Sequence, residues 1–106
     1  MRSEILKGHV DLLLLAAVLA RPAHGYAVIE ELRRRSDGAF DLPEGTVYPA
    51  LHRLERQGLL TSQWSDESGR KRRIYAVTDP GRAALAQQRQ DWSVFARAIH
   101  AVVADA

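Results

Sequence analysis

The stretch Leu42–Val77, LPEGTVYPALHRLERQGLLTSQWSDESGRKRRIYAV, decides the fold. Its first half has helical spacing: Val47, Leu51 and Leu54 fall at i, i+4 and i+7 and make one apolar face. Thr46, Pro49, His52, Arg53 and Arg56 lie largely off that face. Pro49 falls near the first turn, where a missing N–H costs least, and Gly58 supplies the C-terminal stop near Gln57. Beyond Gly58 the pattern changes to strands. Leu60–Trp64 and Arg73–Val77 read as a hairpin joined by the polar, glycine-bearing turn Ser65–Lys71.

Upstream, residues 5–20 read as a first helix, with Leu12, Leu13, Leu15, Ala16 and Leu19 apolar on most sides and Pro22 as its stop. A second helix runs from His24 or Gly25 to Arg35, with Tyr26, Ile29 and Leu32 at helical spacing and Ser36-Asp37-Gly38 as its turn. Downstream, Thr78 is the expected N-cap of a last helix reaching about residue 103, with Asp79 at the positive end of its dipole. Leu85, Trp92 and Ile99 recur every seven residues along it, and Phe95 and Val102 fill companion positions. This coiled-coil-like seam is the candidate dimer interface.

The predicted class is therefore mainly α with a small β-hairpin. A winged helix-turn-helix occupies residues 1–78 and a C-terminal dimerisation helix residues 79–106, in one compact unit. The 106 residues, 46% hydrophobic and 26% charged, suit a single ordinary domain. The absence of cysteine excludes disulfides and thiolate metal sites. The apolar run Leu12–Ala20 follows Glu4 and Asp11 and is too short to cross a bilayer, so it reads as a buried helix, and a cytoplasmic location is expected.

Three helices followed by a basic hairpin suit DNA. The major groove admits one helix, whose side chains reach base edges, and a hairpin rich in guanidinium groups grips the phosphates alongside. The net charge is only +2, but Arg70, Lys71, Arg72 and Arg73 form one tract and Arg33, Arg34 and Arg35 another. The first tract reads as the phosphate-binding wing. The second is expected to face solvent and pair with Glu30 and Glu31. His9, His24, His52 and His100 are scattered and form no ligand-spaced pair, so neither a metal nor another cofactor is expected. No phosphate loop, nucleophile elbow or zinc-protease pattern is present, and the chain does not read as an enzyme.

An ordered series of motifs carries a family resemblance: His24-Gly25-Tyr26, then Glu44-Gly45-Thr46-Val47-Tyr48-Pro49-Ala50-Leu51-His52-Arg53-Leu54-Glu55, then Gly58-Leu59-Leu60, Arg72-Arg73-Ile74-Tyr75 and Thr78-Asp79-Pro80-Gly81. Together they resemble PadR-type transcriptional regulators, specifically the short members with one C-terminal helix. The resemblance implies that the third helix reads DNA, that the wing touches the backbone or minor groove, and that the last helix makes a homodimer. The implied partner is a double-stranded, pseudopalindromic operator, and no membrane. In short members that sense drugs, a tryptophan of the last helix stacks on flat ligands at the dimer centre. Trp92 stands where that residue is expected, with Phe95 beside it, which implies a planar aromatic effector.

The candidate DNA contacts are Gly25, Tyr26, Thr46, Tyr48, Pro49, His52, Arg53 and the wing residues Arg70, Lys71, Arg72 and Arg73. Packing competes with contact at several of them. Tyr26 is expected to pack, Gly25 to stand where a side chain does not fit, and Tyr48 to serve either role. Two readings of other classes remain beside the ligand-responsive repressor: a winged-helix module that binds protein, and a dimer that carries aromatic ligands without binding an operator. Salt-sensitive retention on heparin or random DNA separates the first from the regulator, and ligand binding with no operator selectable from random DNA marks the second.

Overall fold

The first apolar stretch is broken at Gly8-His9. Instead of one helix over residues 5–20, the computed structural model has α1 (Ser3–Lys7) and α2 (Val10–Ala20). Glycine is costly inside a helix, and the His9 N–H closes a turn on the Leu6 carbonyl at 2.8 Å. The structure describes residues 3–105; Met1, Arg2 and Ala106, which the expected domain ranges include, lie outside the described residues.

Helix α2 is the hub of the core. Its Leu14, Leu15, Ala17 and Val18 are buried, and Leu12, Leu13, Ala16 and Leu19 are half-buried. Helix α3 (Gly25–Arg35) packs Val28, Ile29 and Leu32 inward. Tyr26, expected to pack, is instead 56% exposed; Val28 completes the buried face in its place. The cationic end of α3 is paired as expected, Arg33 with Glu30 at 2.8 Å and Arg34 with Glu31 at 2.9 Å, and Arg33 also meets Asp41 at 2.7 Å.

Helix α4 (Glu44–Arg56) buries Val47, Ala50, Leu51 and Leu54, the face legible from its spacing plus one alanine. Gly58 follows with φ of 80°, a left-handed conformation that glycine takes without steric cost. Strands β1 (Leu60–Ser65) and β2 (Arg72–Val77) pair antiparallel from Leu60 opposite Val77 to Ser65 opposite Arg72. A short 3-10 turn, Glu67–Gly69, lies in the connection. Ala23 bridges the outer edge of β2 at Tyr75 through two backbone bonds of 3.0 and 2.9 Å, so the wing root is tied to the residues just before α3.

Helix α5 (Asp79–Val103) starts as read: the Thr78 hydroxyl accepts from the Gly81 N–H at 3.0 Å and donates to the Gly58 carbonyl at 2.6 Å. Leu85 is a correction. It is 1% exposed within this chain's own core and is therefore not a seam residue open to a partner. One helical face serves two surroundings: its first turns cover α2, and beyond them Trp92, Phe95, Ile99 and Val102 stand exposed.

The cap of α3 was not legible beforehand. His24 Nδ1 faces the Ala27 N–H at 3.3 Å, while Nε2 lies 2.8 Å from Nη1 of Arg72. A neutral imidazole has one acceptor nitrogen, so capping α3 and receiving Arg72 are alternative tautomers. An imidazolium accepts from neither. Burial, and then the Arg72 charge, hold the His24 pKa below its ordinary value.

Two outcomes are expected. Gly81 packs against the Leu59 carbonyl and lies where an added Cβ meets Val77 Cγ1 at 2.8 Å. Gly81→Ala therefore destabilises the fold by roughly 1–3 kcal/mol in urea unfolding. For His24, a folded-state pKa below the unfolded value means that protonation favours the unfolded chain. Its contribution is complete above the ordinary imidazole value of about 6.5 and is lost as pH falls through the depressed one. Unfolding curves at about pH 7 and about pH 5 should show a smaller loss in His24→Asn, which keeps a capping oxygen but does not titrate, than in the wild type.

Candidate nucleic-acid interface

Helix α4 and the hairpin enclose an open cleft of about 380 Å³. One wall is the start of α3, with His24, Gly25 and Tyr26; the floor carries Tyr48 and His52 of α4; the other wall is the wing, with Trp64 and Arg70 to Arg73. Eight of the eleven candidate contacts meet here: Gly25, Tyr26, Tyr48, His52, Arg70, Lys71, Arg72 and Arg73. Thr46 and Pro49 are exposed on α4 but lie outside the cleft lining. No aspartate or glutamate lines it among the described residues.

Gly25 is explained by packing. A Cβ at this position meets the Tyr48 ring at 2.5 Å, so the start of α3 sits directly on the tyrosine of α4. Tyr48 is accordingly half-buried, and burial raises its pKa, with the Glu44 charge adding to the effect. The phenol is a neutral donor and acceptor at the cleft floor.

The wing tract divides into two classes of cation. Arg70 and Lys71 are exposed at the tip and enter no ion pair among the described residues. Arg72 reaches His24. Arg73 is held from three sides: Nε donates to Ser62 Oγ at 2.7 Å, Nη2 lies 3.8 Å from the Glu55 carboxylate, and the guanidinium sits 5.1 Å from the centre of the Trp64 ring. Strand alternation sends Arg72 and Arg73 to opposite faces, while Arg70 and Lys71 precede β2.

Arg53 is engaged differently from the expected base contact. Its guanidinium makes a bidentate pair with Asp11 at 2.7 and 2.8 Å, joining α4 to the first turn of α2. The hydrogen bond to Asp11 raises the Arg53 pKa. The two terminal nitrogens are engaged on this carboxylate, so a bidentate grip on a base through that same end of the guanidinium competes with Asp11. Sequence reasoning missed His24, Trp64 and Asp11 as participants; the available hint for Asp11 was a carboxylate beside an otherwise apolar run.

The second expected site lies between α2 and α5. A cleft of about 380 Å³ is lined by Gly8, His9 and Leu12 on one side and by Gln88, Asp91, Trp92 and Phe95 on the other. The His9 ring meets Trp92 edge-on at 4.9 Å between centroids, and Phe95 follows at 6.1 Å. No cluster of three or more histidine, aspartate or glutamate side chains suited to a metal occurs among the described residues. No helix there is long and apolar enough to cross a membrane.

Comparison with known proteins agrees with this geometry. The family model described as the transcriptional regulator PadR-like family matches residues 14–87. The transcriptional regulator Rv3488 of Mycobacterium tuberculosis is 38% identical over 96 residues, covering 91% of this chain and 87% of that protein. Among solved structures, a transcriptional regulator from Clostridium thermocellum superposes with a TM-score of 0.86 at 26% identity, covering 94% of this chain and 95% of the other. A PadR family transcriptional regulator from Eggerthella lenta gives 0.81 at 30% identity, with 95% and 87% covered. These relatives are regulators rather than enzymes. The ordered motifs, the three helices with their wing, and a match over most of the residues lead to one conclusion: the chain belongs to the PadR-like family of transcriptional regulators.

Proposed function

We propose that this protein is a cytoplasmic, homodimeric repressor that binds a pseudopalindromic operator, with residues 1–78 as the DNA-binding unit and residues 79–106 as the dimerisation helix. The observation that carries the reading is the acid-free cleft between α4 and the wing, with aromatic and histidine side chains at its floor and free cations at its rim. In this reading the exposed face of α4, with Thr46, Pro49 and His52, enters the major groove. Tyr26 and Tyr48 border the groove, and the N-terminus of α3 at Gly25 faces a phosphate, as helix N-termini favour anions. Arg70 and Lys71 neutralise phosphates beside it. Arg72 joins them by giving up His24, which then caps α3. Arg53 joins them by giving up Asp11.

The dimer reading is supported by α5. Its second half exposes Trp92, Phe95, Ile99 and Val102 along one stripe, continuous with the face that Leu85 buries nearer the core. An apolar stripe that length is stabilised by a second copy, and a two-fold pair presents two α4 helices to successive major grooves. A planar aromatic effector fits the cleft at Trp92 and Phe95. It relieves repression only if it binds the free and DNA-bound arrangements with different affinity.

Selection from random duplexes at stated salt should recover a pseudopalindrome with half-sites about one helical turn apart. An asymmetric consensus contradicts the dimer, and failure to enrich any sequence contradicts operator binding. The Arg70→Ala, Lys71→Ala double variant should flatten the slope of log affinity against log salt by about two units. An unchanged slope places the wing off the DNA.

A further inference from the structure

We infer that Trp64 is a DNA-contacting residue in its own right, seating a backbone deoxyribose on its indole, and that Arg73 is its positioning residue rather than a phosphate ligand. The inference rests on the DNA-binding reading above and adds an apolar contact to a wing otherwise understood through charge. Trp64 is 60% exposed although it belongs to a regular strand pair. It stands directly opposite Arg73 in the register, on the strand face that also carries Ser62 and Tyr75.

Arg73 is already held by its neighbours. The Ser62 hydroxyl takes its Nε–H at 2.7 Å, and Glu55 of α4 lies 3.8 Å from its Nη2. Glu55 is fixed in turn by the Ser62 hydroxyl at 2.7 Å. The guanidinium, 5.1 Å from the indole centroid, therefore supports the ring from a base anchored on α4. A carboxylate at that distance also offsets the charge that a phosphate ligand needs.

The occupant follows from the surroundings. Trp64 lines the cleft with His52 of α4 and with Arg70 and Lys71 at the wing tip. A polyanion held at both places lies along the cleft that the indole also lines. What lies between successive phosphates of a duplex is a sugar, whose C–H surface suits an aromatic face, and the indole N–H is a donor for an adjacent phosphate oxygen. The cationic, acid-free rim disfavours an apolar or basic protein partner at the same place.

The test uses the full chain and a mixed-sequence DNA duplex. Trp64→Ala should weaken binding about tenfold at fixed salt, as expected for a buried aromatic anchor, and leave the salt slope unchanged because no counterion-releasing charge is lost. Trp64→Phe should recover most of the affinity, and Arg73→Gln should also leave the slope unchanged. In the Trp92→Phe variant, whose remaining tryptophan is Trp64, the duplex should alter the emission. Wild-type affinity in Trp64→Ala, or emission indifferent to DNA, overturns the inference. If Arg70→Ala still flattens the slope in that case, DNA binding by the wing stands without Trp64. If neither substitution has an effect, the DNA-binding reading fails with it.

Discussion

Burial of α2 is the constraint on which the other elements depend. Leu14, Leu15 and Val18 are almost fully removed from solvent, and α3, α4, α5 and β2 each rest on this helix. A helix apolar on nearly every side is stable only when surrounded, so its neighbours are fixed relative to one another by what they cover. The reading helix α4 and the long helix α5 thus share one support. The Asp11–Arg53 pair adds a polar tie at the N-terminal end of α2, within one turn of His9 and Leu12 in the Trp92 cleft. Both residues of the pair retain over a third of their side-chain exposure, so the tie orients the two helices more than it stabilises them.

Charge in this protein is arranged by geometry more than by amount. Four consecutive cations sit in the wing, yet the pleat sends Arg72 to the cap of α3 and Arg73 to Glu55 of α4, leaving Arg70 and Lys71 at the tip. The three arginines closing α3 are paired with Glu30, Glu31 and Asp41 and add little to any field outside the molecule. A net charge of +2 is therefore compatible with a strongly cationic cleft rim, because the acidic side chains are spent elsewhere.

Much of this was legible in the sequence wherever spacing alone determines a face. Val47, Leu51 and Leu54 defined the inner side of α4, Thr78 announced the start of α5, and the glycine-bearing turn between two strand patterns gave the hairpin. What spacing does not supply is the identity of the partner across a face. Leu85 and Trp92 share a heptad position, but the first lies over α2 and the second beyond the end of the core, which no repeat can distinguish. The same ambiguity hid the exposure of Tyr26 and the engagement of Arg53, since Asp11 is distant in the chain and adjacent only in the fold. Gly25 was readable as a packing glycine, but its neighbour, the Tyr48 ring, was not. Gly8 broke a helix that the run of leucines on its C-terminal side made look continuous.

The central claim is that α4 and the wing together form the surface that meets duplex DNA, and mapping backbone amide shifts during titration with a selected operator duplex tests it most directly. The expected result is a contiguous set of perturbed amides at the start of α3, on the exposed face of α4 and in the wing strands and tip, with the paired end of α3 at Arg33–Arg35 silent. Perturbations centred on that end of α3, or spread evenly over the molecule with the wing unaffected, would contradict it.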